Sequence, residues 1–272
     1  MNYRTSLVLL ISALGFSSSP SLQAEAALKA GAKPAPVIKP APSDNLCPLL
    51  KESYPQTVND ALAKLSFMDL TALADKGNTD AMVLLALRYT PAERSADGAD
   101  TQSRPPIDMD KAMALFRAAA DKGHGYGEFY IGVAYMSGVG VAKDEAQAAQ
   151  WFLRGAKHGA HAAQYWFGEM TAKGRGGLTA DWQAAKPYFA SAAEGGAPDA
   201  YVELGYMYYR GLGGLTQDSH KAAFCYRQGI KLHSQIAQVS LAGLINEGSV
   251  PWEPGDPDLA APPAAPQSNP GK

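Results

Sequence analysis

The chain has 272 residues, 46% apolar and 18% charged, with a formal net charge of −2. This is enough apolar material for a core, and the balance excludes a disordered polyelectrolyte or a bundle of membrane helices. No basic stripe is present, which argues against a nucleic-acid partner. Residues 1–24 open with Arg4 in a short polar start, run through the apolar stretch Leu7 to Phe16 and end in small residues near Ala24. That order predicts a signal peptide cleaved after Ala24 or Ala26, and hence a periplasmic or secreted protein. Nothing later approaches the ~18 consecutive apolar residues of a spanning helix, so no membrane span is expected after cleavage. Residues 25–43 are rich in alanine, proline and lysine, a composition that cannot bury a core and predicts a disordered, extended linker.

Residues 44–80 read as N-terminal capping helices. Leu70, Ala72, Leu73, Ala74 and Gly77 repeat the pattern of Phe116 to Gly123, and a drifted partner helix is expected around Val58 to Leu65. From residue 81 onward the chain is self-similar at a period of 36 or 37 residues, the mark of a stacked-repeat protein. The copies are 81–124, which carries a loop insertion within Thr90 to Ile107, then 125–159, 160–196 and 197–233, followed by a half repeat at 234–250. Residues 251–272, rich in proline and alanine, are expected to be a disordered tail.

Position by position the register holds. Gly132, Gly168 and Gly205 recur at one site, Gly138, Gly174, Gly211 and Gly248 at another, and Phe116, Phe152, Phe189 and Tyr226 at a third. Ile131, Gly132 and Tyr135 form an apolar stripe at helical spacing, helix A of the unit. Ala148, Trp151, Phe152, Gly155 and Ala156 form the stripe of helix B. Asp108, Asp144, Asp181 and Asp218 precede each helix B as N-caps, with Gln147 three residues after Asp144 as in a capping box. Glycine and alanine at fixed sites let the two helices approach closely, with the large aromatics filling the layer between copies.

These residues, A-x-x-x-L-G-x-x-Y-x-x-G-x-G, then D, then A-x-x-W-x-x-x-A-A-x-x-G, resemble the Sel-one-like repeat (SLR), a relative of the tetratricopeptide repeat, over about residues 66 to 248. The resemblance implies an all-α, right-handed α-solenoid of antiparallel helix-pair repeats. It also implies a protein-interaction scaffold or adaptor of the bacterial envelope, without enzyme activity. Its concave surface, lined by helix A, is implied to hold a protein partner of unknown identity through Tyr126, Phe129, Tyr165, Glu169, Lys173, Tyr206, Tyr209 and Arg210, with Val133, Met136, Ala172 and Val202 on the same face. The alternative is a cell-wall-associated enzyme or a protein that binds peptidoglycan or a β-lactam. Some exported relatives linked to penicillin binding carry a cysteine pair in each repeat, a feature absent here.

No catalytic residue, cofactor or metal site is expected. His158 and His161 flank a turn between copies and no third ligand is fixed by spacing. Gly211-Leu212-Gly213-Gly214 lacks the Lys-Ser/Thr of a phosphate loop. Cys225 occupies the register position of Leu115, Trp151 and Tyr188, while Cys47 precedes the first unit by several layers. On that order the two are expected to be too far apart to bridge.

Overall fold

The computed structural model describes Cys47, residues 60–91 and 105–253, and Asp256. The expected signal peptide, the Ala/Pro/Lys linker, residues 92–104 of the insertion and most of the tail lie outside the described residues. The described residues are helical, joined by short turns and without a strand, and within each compact unit successive helices pack on one another in the manner of an all-α solenoid of helix pairs. Its helices are α1 (Asp60–Ala63), α2 (Phe67–Asp75), α3 (Thr79–Arg88), α4 (Met109–Ala120), α5 (Gly125–Ser137), α6 (Glu145–Lys157), α7 (His161–Lys173), α8 (Trp182–Glu194), α9 (Pro198–Arg210), α10 (Ser219–Lys231) and α11 (Gln235–Asn246). They fall into two compact units, α1 to α7 in the first and α8 to α11 in the second. Cys47, residues 251–253 and Asp256 belong with the second.

Each helix B starts where its aspartate stands. Asp108 caps α4, Asp144 α6, Asp181 α8 and Asp218 α10, each carboxylate accepting from backbone N–H groups of the first turn. Helix A ends at a left-handed glycine, Gly138, Gly174 or Gly211, which closes α5, α7 and α9 at a conformation that costs side-chain-bearing residues energy. The turn after helix B uses Gly77, Gly123, Gly159 and Gly196 at positive φ. In the last copy that place is held by a non-glycine residue, His233, with φ of 64°.

The close approach of helices A and B has a specific cause. A Cβ on Gly132 of α5 would stand 2.7 Å from the Phe152 ring of α6, and one on Gly205 of α9 would run into the Tyr226 ring of α10. Each aromatic therefore lies in a notch of its own copy's helix A, where the sequence reading put it between copies. From the notch it reaches the neighbours as well: Phe152 stands 5.8 Å from Phe129 and 6.1 Å from Trp166 of α7, and Phe116 of α4 stacks on Tyr130 of α5 at 5.0 Å. Phe152 and Phe189 are fully buried. Trp151 is half-buried beneath the Arg154 guanidinium, 4.3 Å from the ring centroid.

The cysteine expectation is overturned. Cys47 and Cys225 form a disulfide, with Cα atoms 5.5 Å apart and both residues buried. Layer separation would keep the two apart only if Cys47 were a member of the stack. It belongs to the segment before the repeats, which is not bound to the layer order and groups with the second unit.

Two measurements check this packing. Gly132→Ala, which drives a Cβ into a buried ring, is expected to cost about 1–3 kcal/mol in chemical denaturation. Gly243→Ala in α11, where a Cβ meets nothing within 4 Å, should instead stabilise dilute protein by up to about 1 kcal/mol. Denatured protein should show no thiol reactive to Ellman's reagent before reduction. Cys225→Ser should lower stability by about 2–5 kcal/mol.

Candidate protein-interaction surface

In the first unit the expected partner-binding residues are largely committed to the fold. Phe129 is 0% exposed, its ring against Tyr126, Tyr130 and Phe152, so it is core and not surface. The reason is helical phase: Gly125, Glu128, Phe129 and Gly132 form the stripe of α5 that faces α6, and the sequence spacing placed this face toward solvent. Glu128 lies on the same stripe, fully buried, and accepts from Arg154 Nε at 3.0 Å and pairs with His158 Nδ1 at 2.6 Å, both on or next to α6. Val133, Met136 and Ala172 are buried as well. Glu169 is also buried, gripped by Lys173 Nζ at 2.7 Å and Arg175 Nη1 at 3.5 Å, so it is not free for a partner. Lys173 is exposed but held by that contact. Tyr126 and Tyr165 are half-buried, Tyr165 with its edge on Trp166 at 5.6 Å.

The second unit is different. Tyr206 is 37% exposed and leans on Trp182, ring centroids 5.7 Å apart. One turn on, Tyr209 is half-buried and its hydroxyl donates to Glu247 at 3.1 Å, and Arg210 beside it is exposed. Tyr206, Tyr209 and Arg210 thus share one face of α9. The Glu247 contact brings the end of α11 beside it, and on α11 the structure exposes Ile236 (59%) and Val239 (73%). Sequence reasoning missed this pair, although α11 is a helix A with no helix B after it, and an uncovered end was legible there. Pro251 and Trp252 do not cover that edge. They turn to α10 instead: the Pro251 carbonyl accepts from Arg227 Nη2 at 3.3 Å, and Trp252 stays 44% exposed.

Arg227 is the anchor of that segment. Its Nε and Nη2 grip the two Asp256 oxygens at 2.7 and 2.9 Å, and Nη1 pairs with Glu253 at 3.0 Å. The Arg227 hydrogen bond holds the buried Asp256 carboxyl below the usual carboxylate range. Elsewhere, the Arg175 hydrogen bond lowers Glu145, joining the start of α6 to the turn after α7 at 2.8 Å. The hydrogen bond to Glu247 raises the Tyr209 hydroxyl, and burial raises Tyr226, Tyr188 and Asp199. His158 and His161 go to separate partners, Glu128 and Gln164. Among the described residues no group of three or more His, Cys, Asp or Glu side chains is placed to hold a metal ion, and no helix is long and apolar enough to cross a membrane.

The model of the Sel1 repeat matches residues 79–124, 125–159, 161–196 and 198–234, more than half of the chain. The chain belongs to the Sel1 repeat family. Proteins of this family generally act in protein–protein interaction, as scaffolds without catalysis. The crystal structure of a Sel1 repeat protein from Oxalobacter formigenes superposes with a TM-score of 0.57 at 28% identity, over 67% of this chain and 69% of that one. DAP3-binding cell death enhancer 1 of Rattus norvegicus is 26% identical over 110 residues, 40% of this chain. The chain spans only 19% of the length of that relative.

The Asp256–Arg227 pair sets a pH dependence. Because the folded carboxyl titrates lower than an ordinary aspartate, its contribution is complete above about pH 4 and is lost as pH falls below that value. The amides of Glu253 and Asp256, which donate to Asp256 Oδ2 and the Glu253 carbonyl, should be protected from hydrogen exchange at pH 6 to 7, by comparison with the free peptide, and lose protection below about pH 4. Asp256→Asn should abolish that protection at every pH.

Proposed function

We propose that the chain is an exported, non-catalytic adaptor of the bacterial cell envelope that binds a protein partner through helix A of the second unit, at Tyr206, Tyr209 and Arg210. The observation that carries this reading is the exposed aromatic face of α9 with an arginine at its edge, a composition that interaction hot spots use. In the first unit the equivalent stripe is spent on the core, so the reading moves away from Phe129 and Glu169 toward the C-terminal repeats. Export is supported by the apolar run Leu7 to Phe16 and by the Cys47–Cys225 disulfide, since such bonds persist in oxidising compartments.

The test is a photoreactive residue placed at Tyr206 in living cells. Discrete adducts are expected from Tyr206 and not from Lys157, an exposed residue of α6. Arg210→Ala, or Tyr209→Ala, should lower capture about tenfold, the size of a modest hot spot. Equal capture from Lys157, or capture indifferent to both substitutions, ends this reading. Fractionation of the same cells checks the location: full-length, uncleaved protein confined to the cytoplasm would contradict export.

A further inference from the structure

α11 is the last helix of the described chain, and among the described residues nothing covers its outer face. Ile236 and Val239 stand 59% and 73% exposed, and the segment that follows turns away to Arg227 of α10. On the same stripe lies Gly243, where a Cβ would meet nothing within 4 Å. Gly127, Gly132, Gly155, Gly205 and Gly229, also within helices, each have an atom of a neighbouring helix against that position. A glycine inside a helix costs about 1 kcal/mol relative to alanine, and at the other five sites a close neighbour explains it. At Gly243 the described residues supply none.

We propose that this face is the contact between two copies of the chain, α11 pairing antiparallel with α11 of a second copy across Val239. Two observations select a second copy as the occupant. The first is charge. Among the described helices α11 (QIAQVSLAGLIN) is the one without a charged residue. A two-fold axis brings the residues on it against their own twins, so a face that pairs with itself must avoid charge near the axis, and this one does. The second is continuity with the seam already built inside each unit. Helix A packs on the next helix A, α5 on α7 in the first unit and α9 on α11 in the second. The position taken by Val239 in α11 is held by Val83 in α3 and Phe129 in α5, both fully buried, and in α5 that stripe is covered by helix B of the same copy, whereas among the described residues no helix B follows α11. What fits such a stripe is an apolar helix with an uncovered stripe of its own, and the α11 of a second copy is one.

The stereochemistry is self-complementary. Ile236 and Gly243 are seven residues apart, so a crossing centred at Val239 and Ser240 puts each about 5 Å from the axis on opposite sides. Ile236 of either copy is then seated over Gly243 of the other. This is the arrangement that Phe152 and Gly132 make within one copy, a large side chain in the notch of a glycine. A helix of 12 residues is only about 18 Å long, so the contact is small and the dimer dissociates on dilution in the micromolar range. The proposal uses α11 alone and does not depend on the partner reading for α9.

Sedimentation of the purified mature chain, disulfide intact, from about 1 µM to about 300 µM tests it. A monomer–dimer equilibrium is expected. Val239→Lys, which sets like charges on the axis, and Gly243→Leu, which fills the notch, should each weaken it at least about tenfold with unchanged far-UV circular dichroism. Cysteine crosslinking gives an independent readout. A mixture of Ile236→Cys and Gly243→Cys chains should form the mixed disulfide, and Ile236→Cys alone should not crosslink to itself. A chain that remains monomeric throughout overturns the proposal, as does a dimer indifferent to Val239→Lys or Ile236→Cys chains that join to each other.

Discussion

The structure depends on an aromatic ring lying where a helix has no side chain. Gly132 beneath Phe152, and Gly205 beneath Tyr226, let two helices approach closely, and any side chain at either glycine collides with a buried ring. The ring also touches the next copy, as Phe152 does with Trp166. One residue pair thus sets both the spacing within a repeat and part of the contact between repeats. This is why the same two residue types recur at the same offset, and why no repeat is expected to be stable alone.

Around this apolar seam the polar contacts act as fasteners. Glu128, without exposure, is satisfied by Arg154 and His158 from the facing helix, which turns a costly buried carboxylate into a cross-link of α5 to α6. Glu145, Arg175 and Glu169 join helix α6 to the turn that ends α7. In the second unit the two fasteners converge on one helix. Cys225 and Arg227, two residues apart on α10, hold the segment before the repeats by a covalent bond and the segment after them by a bidentate ion pair.

The surface follows from where the seam stops. At one register position Val83 and Phe129 are buried, Tyr165 and Val202 are half-buried, and Val239 is open. Val239, the open member of the series, is the one with no helix B after it among the described residues. Tyr206, Tyr209 and Arg210 lie close to the uncovered end, and that is where the exposed aromatic area of this family member collects.

Most of the fold was legible in the chain itself. Glycine, aromatic and aspartate positions recurring every 36 or 37 residues determine helix boundaries, caps and pairing, because each is a local requirement: a left-handed turn, a first-turn acceptor, an apolar stripe at helical spacing. The tertiary structure alone decided the rest. Val133 and Tyr206 hold the same register position of a helix A, yet one is core and the other surface, since burial depends on what packs against a helix and not only on its own period. Cys47 meets Cys225 for a related reason: a segment outside the repeats can dock at any layer, and nothing in its local sequence says which.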